Sequence, residues 1–180
     1  MIPITINNFQ HYTIGGLTVS VKADLPFTQT TLRPKFRHFR LADPGPDKIV
    51  VWHHFRLPDL REFDHSSQVY RQNPWKILHQ GSQWIYMGMP ASEADPYIHM
   101  AAVFNEDHSY GDIYHPDDRL FRAGNLDALT LIPTDQILLA RVLAYRQACI
   151  LHACGMILQG HGLAFVGHSE AGKTTTAHML

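Results

Sequence analysis

The sequence predicts an α+β chain in two parts: a β-rich antiparallel region over residues 1–130 and a shorter part over residues 131–180 made of a helix, a strand hairpin and a glycine loop. Three observations carry this. Through the first part, alternating or β-branched and aromatic stretches are separated by turn clusters, and no helical period shows. After Pro133 a run follows that is apolar on nearly all sides. The last stretch sets an apolar strand directly before Gly167-His168-Ser169-Glu170-Ala171-Gly172-Lys173-Thr174.

Composition sets the class. Of 180 residues, 45% are hydrophobic and 17% charged, which describes a globular chain rather than a disordered one. A net charge of −1 and a pI near 6.9 leave no electrostatic footprint for nucleic acid or an anionic membrane. No apolar run approaches the length of a membrane span, and the N-terminus lacks a basic segment followed by an apolar one. Cys149 and Cys154 fit no zinc or redox spacing and read as reduced, buried thiols of a cytoplasmic protein. The 13 histidines are scattered, and neighbours such as His53 and His54 point to opposite faces of a strand, so no metal tract is expected.

In order along the chain, residues 1–9 form a short strand or a loose start. Tyr12-Thr13-Ile14 and Leu17 to Val21 form a hairpin about Gly15-Gly16. Leu17, Val19 and Val21 alternate with Thr18, Ser20 and Lys22, which predicts one buried and one wet face. Arg33, Lys35, Arg37 and Arg40, interleaved with Phe36 and Phe39, read as a solvated strand face. The turn cluster Asp43 to Asp47 precedes a strand over Lys48 to Leu57. Short strands then recur over Val69–Tyr70, Trp75–Leu78, Gln83–Met89, Tyr97–Phe104 and Tyr110–Tyr114, with turns at Gln80-Gly81-Ser82 and Asn105-Glu106-Asp107. The domain boundary is expected near residues 122–134. Beyond it, Thr134 as N-cap and Asp135 in the first turn open a buried helix over Ile137 to Ala148. Buried strands follow over Cys149 to Leu158 and Leu163 to Val166, joined by the turn Gln159 to Gly162.

The terminal loop fits G-x-x-x-x-G-K-[ST], in which glycines let consecutive backbone N–H groups face a phosphate and lysine reaches the β- and γ-phosphates. Strand, glycine loop and helix in that order is the context this chemistry requires. A chance match in a chain of this length is on the order of one in a hundred. Glu170 stands where small or turn-tolerant residues are common, and its carboxylate would lie near a bound triphosphate.

With these residues in view, the segment from Thr134 to Leu180 resembles the start of the C-terminal domain of HPr kinase/phosphorylase, and more closely that of HPr-kinase-related proteins. The parallels are Leu151-His152-Ala153-Cys154-Gly155, then Gly160 to Ser169, then Ala171-Gly172-Lys173-Thr174-Thr175. In that family a histidine precedes the loop lysine by 21 residues across a hairpin, as His152 precedes Lys173 here. The resemblance implies ATP-dependent phosphorylation of a serine hydroxyl on a protein, a peptide or a small molecule, or the reverse phosphorylase direction. It implies a phosphoenolpyruvate-carboxykinase-like, HPr-kinase-like fold for residues 131–180. His152 and Lys173 carry over as catalytic residues, and Gly167, His168, Ser169, Glu170, Ala171, Gly172, Lys173, Thr174 and Thr175 as the ATP cradle. Thr174 carries over as the Mg2+ ligand.

The family places its proton-accepting carboxylate, and a further acidic residue for magnesium, after the loop helix. The sequence stops at Leu180, so the chain is expected to be the N-terminal part of such a kinase, inactive alone. Association with a missing C-terminal half, or a homo-oligomer, is then expected. Asp117, Asp118 and Asp127 read as ordinary turn residues rather than substitutes. The alternative is a non-catalytic peptide- or protein-binding module that keeps a remnant of the loop.

Overall fold

Gly15 and Gly16 turn the chain at φ of 58° and 87°, the paired positive values that a two-residue hairpin loop demands. From this hairpin, β1 (Phe9–Ile14) against β2 (Leu17–Ala23), a nine-stranded sheet is built. A computed structural model describes residues 8–72, 75–88, 100–124, 126, 129 and 135–180, in two units, Met1–Val142 and Leu143–Leu180. The remaining strands of the first unit are β3 (Arg40–Leu41), β4 (Lys48–His54), β5 (Gln68–Gln72), β6 (Trp75–Gln80), β7 (Gln83–Gly88), β8 (Met100–Asn105) and β9 (Tyr110–Tyr114). Their order across the sheet is β3-β1-β2-β4-β9-β8-β7-β6-β5. Strands β5 to β9 form an antiparallel meander, whereas β4 runs parallel to both β2 and β9. Two short helices follow, α1 (Arg119–Arg122) and α2 (Asp135–Ala144).

This overturns the expected fold class. The protein is mostly β, with one mixed sheet and few, short helices, rather than an antiparallel region joined to an HPr-kinase-like α+β domain. The physical reason is topological. Alternation reports which face a side chain takes and says nothing of strand direction, so the two parallel pairs leave no trace in it. In the second unit only β10 (Ala153–Leu158), β11 (His161–Val166) and α3 (Lys173–His178) are regular, and β10 and β11 form a two-stranded sheet of their own.

Other expectations are corrected locally. Thr18 and Ser20 are buried, because β2 is central and covered on its second face. There Thr18 Oγ1 accepts the Gly45 N–H at 3.0 Å and Ser20 shares a hydrogen bond with His11 at 2.9 Å. Most of the basic stretch is helical rather than a strand face, and only Arg40 lies in a strand, β3. Pro34 opens a 3-10 helix over Pro34–Phe39 that buries Phe36 and leaves Arg33, Lys35, Arg37 and Arg40 exposed. Helix α2 ends at Ala144, earlier than expected, and buries one side only: Leu138, Leu139 and Val142 are inside, while Arg141 lies over the Trp84 ring. Cys149 is exposed and Cys154 half-buried, both free, because the strand begins only at Ala153. Expectations for residues 1–7, Met89, Tyr97 to His99, Asp127 and Thr134 lie outside the described residues.

Register places Val51, His53, Gly111, Ile113, Ala102, Phe104 and Tyr86 on one face of the sheet. Gly111 pairs with Phe104, whose ring lies where a Cβ would stand, its nearest atoms 2.2 Å away. Only glycine lets that ring lie flat on the strand. Gly111→Ala is therefore expected to destabilise the protein by about 1–3 kcal/mol through overpacking, read as a lower urea midpoint. A midpoint equal to wild type would show that the ring moves aside freely.

On the same face, His53 Nε2 lies 2.9 Å from Leu129 O, and His53 Nδ1 lies 3.0 Å from His115 Nε2. A carbonyl only accepts, so neutral His53 carries its proton on Nε2 and its Nδ1 accepts from the His115 Nε2–H. Burial, then the neighbouring His115, pushes His53 from 6.5 down to about 3, and burial pushes His115 down to about 4. Both are neutral when folded, so the unfolded chain binds protons that the folded chain refuses. Their contribution is present above pH 6.5 and is lost as pH falls from there through about 4. The thermal midpoint is expected to drop across that window. His115→Gln, which keeps an N–H donor without the titration, should make the drop shallower; an unchanged slope would rule the pair out as its source.

Candidate functional site

The loop of the second unit is assembled by a hairpin. Strands β10 and β11 pair antiparallel from Leu158↔His161 at the turn to Ala153↔Val166 at the open end. His152 precedes Ala153 and Gly167 follows Val166, so continuing the register sets His152 level with the first loop glycine. His152 is exposed, in the segment leading into β10 rather than within a strand. The two strands are partly or largely exposed, not buried as expected, Val166 by 62%. Within this unit the six-residue α3 is the helix that packs on them, too little to cover both faces of the hairpin.

Past Val166 the chain closes tightly on itself. A Cβ on Gly167 would stand 3.3 Å from the Ala171 Cβ, and the Ala171 N–H donates to His168 O at 3.3 Å. His168 Nδ1–H donates to Ser169 O at 2.5 Å. Gly172 takes φ +76° at the N-cap of α3, a conformation that a side chain would strain. Its carbonyl accepts from the Thr176 N–H at 2.9 Å and the Thr176 hydroxyl at 3.1 Å. The decisive contact is Lys173, whose Nζ donates to Gly167 O at 2.9 Å and to His168 O at 2.7 Å. The ammonium thus spans the loop from its last residue to its first. Ser169, Thr174 and Thr175 are exposed.

Comparison with known protein families, curated proteins and solved structures gives no match.

The structure therefore folds Gly167 to Gly172 into a closed turn ahead of α3, spanned by Lys173, and leaves His152 in the segment before β10. Asp117 is paired with Arg119 at 2.6 Å and Asp118 with Arg122 at 2.5 Å. Sequence reasoning passed over a second cluster, Asp24, His54 and Asp112, joined by two 3.0 Å contacts. Its one sequence signal was the His53-His54 pair, which sends one histidine to each face. The two aspartates come from other strands, and nothing in linear order links them. Among the described residues no helix is long and apolar enough to cross a membrane.

Glu170 sits at φ +67°, a left-handed conformation costly for a side-chain-bearing residue. Glu170→Gly is expected to relieve about 1 kcal/mol of that strain, partly offset by the freedom glycine gains in the unfolded chain. Glu170→Ala removes the charge and keeps the strain, so Glu170→Gly should be the more stable of the two in urea unfolding. The reverse order would contradict the strain.

Proposed function

We propose that Gly167 to Thr175 binds the phosphates of an Mg2+–nucleoside triphosphate, ATP by the resemblance, in an HPr-kinase-related protein that transfers a phosphoryl group to a serine hydroxyl. The observation that carries the reading is the Lys173 ammonium held across the loop on two carbonyls, where a phosphate would replace them as its partner. The loop sequence, the positive φ of Gly172 and the register of His152 support it.

Magnesium fits the donor set in one limited way. Thr174 presents an exposed hydroxyl, whereas the Thr176 hydroxyl is spent on Gly172 O. Among the described residues no group of three His, Cys, Asp or Glu side chains gathers to hold a metal. Thr174 would supply one oxygen, with phosphate oxygens and water supplying the rest, which is how Mg2+ is usually bound beside a triphosphate. Bound there, the metal would neutralise charge on the phosphates. Lys173 would hold the β- and γ-phosphates, Gly167 and Gly172 would let the backbone approach them, and His152 would face the transferring end. Such chemistry suits a cytoplasmic protein with a serine-bearing protein, peptide or small molecule as acceptor.

Thermal-shift titration with ATP and Mg2+ tests this. At about a hundred times its Kd the ligand should stabilise the site by about 2.7 kcal/mol. Lys173→Ala should abolish the shift, and Thr174→Ala should remove its magnesium dependence. No shift in wild type at millimolar ATP would favour the alternative, a peptide- or protein-binding module whose loop is structural.

A further inference from the structure

The first unit holds a 620 Å3 cleft where three parallel strands end. Strands β2, β4 and β9 run side by side in one direction, and their exits diverge: toward the basic 3-10 helix, toward the far edge strand β5, and into α1. Diverging exits leave a crevice outside the carboxyl ends, the usual place for a ligand in such sheets. The cleft is lined by Asp24 after β2, Phe55, Arg56 and Asp59 after β4, and His54 and Tyr114 at strand ends. Its volume lies in the ordinary range for small-molecule sites.

The polar groups are oriented before any ligand arrives. Asp24 Oδ1 accepts the Trp52 Nε1–H at 2.7 Å, and Asp24 Oδ2 faces His54 Nδ1 at 3.0 Å. His54 Nε2 faces Asp112 Oδ1 at 3.0 Å, which also accepts the Tyr110 hydroxyl at 3.0 Å. His54 stacks on Tyr114 at 5.0 Å between centroids and meets Trp52 at 4.8 Å with its ring tilted. A carboxylate fixed this way cannot swing, yet Asp24 remains 43% exposed with lone pairs to offer.

Charge decides the ligand class. Two carboxylates of the lining are paired with arginines, Asp59 with Arg61 at 2.7 Å and Asp118 with Arg122 at 2.5 Å, which leaves Asp24 and Arg56 as its remaining opposite charges. With Asp24 and Arg56 of opposite sign in one lining, neither a cation nor an anion gains a net charge to compensate it. A neutral ligand rich in hydroxyls, which both donate and accept, fits fixed carboxylate acceptors beside a guanidinium donor and aromatic rings. We infer that the cleft at the carboxyl ends of β2, β4 and β9 binds a neutral sugar, with Asp24 accepting from its hydroxyls and Tyr114 packing against its apolar face.

Saturation-transfer NMR on the full chain, with a panel of neutral hexoses and hexose disaccharides at millimolar concentration, tests this. At least one sugar should bind and be insensitive to competition by inorganic phosphate or spermidine. Asp24→Asn and Tyr114→Ala should each weaken it about tenfold or more, the loss of one strong polar or stacking contact. Tyr114→Phe, which keeps the ring, should retain binding, and thermal midpoints establish that each variant is folded. If no sugar binds, if phosphate or spermidine displaces it, or if folded Asp24→Asn and Tyr114→Ala bind as wild type does, the assignment is wrong.

Discussion

The parallel registration of β4 between β2 and β9 is the constraint on which the first unit depends. Val51 opposite Val21 and Gly111, and His53 opposite Ala23 and Ile113, commit every odd residue of β4 to the buried face. Shifting β4 by one residue would turn His53 outward and bury Trp52 and His54 among apolar neighbours. The same registration brings three strand ends level and sends their connections apart, which opens the cleft. Parallel pairs require long crossovers, and both are long here: Asp24 to Asp47 between β2 and β4, and four strands of the meander, β5 to β8, between β4 and β9. The meander returns its last strand to the sheet centre, so the far edge strand β5 is linked in sequence to the middle.

Burying two histidines at that centre is tolerated because their hydrogen bonds close in one direction. His115 Nε2–H donates to His53 and His53 Nε2–H donates to Leu129 O, so each of these two N–H groups has an acceptor. A further proton on His53 would set two N–H groups against each other, an electrostatic clash added to the desolvation of a buried charge. Hydrophobic residues of similar size would pack as well without this acid sensitivity. What the histidines add is direction, since the two hydrogen bonds tie His115, His53 of β4 and the Leu129 carbonyl together in a single arrangement.

The sequence exposed what is local. Gly15-Gly16 and Gly81-Ser82 announce their hairpins, because positive φ is a requirement of the residue itself. The strand Tyr110–Tyr114 and the helix start at Lys173 were legible for the same reason. Burial was less legible because it depends on neighbours. Thr18 and Ser20 read as solvent-facing and are inside, Thr18 bonded to Gly45 of the Asp43 to Asp47 turn and Ser20 to His11, while Leu163 and Val166 read as core and are exposed. Apolar character shows what a residue gains from being covered; only the fold decides whether something covers it. For the candidate site, Gly167 to Thr174 could be read whole, since the motif lies within one turn. Asp24, His54 and Asp112 span 89 positions and could not.

In the proposed complex, two opposing effects at the loop can be weighed. Binding a triphosphate exchanges the contacts of Lys173 with the neutral carbonyls of Gly167 and His168 for contacts with phosphate oxygens. Hydrogen bonds to charged partners contribute about 1.5–3 kcal/mol, against roughly 1 for neutral ones. Against this stands the Glu170 carboxylate, fully on the solvent side of the turn. A like charge at about 4 Å in water costs about 1 kcal/mol, and less when it is further away or screened by salt. The lysine term and the backbone donors together exceed the repulsion from one exposed carboxylate. Glu170 therefore lowers the affinity of such a loop without removing it.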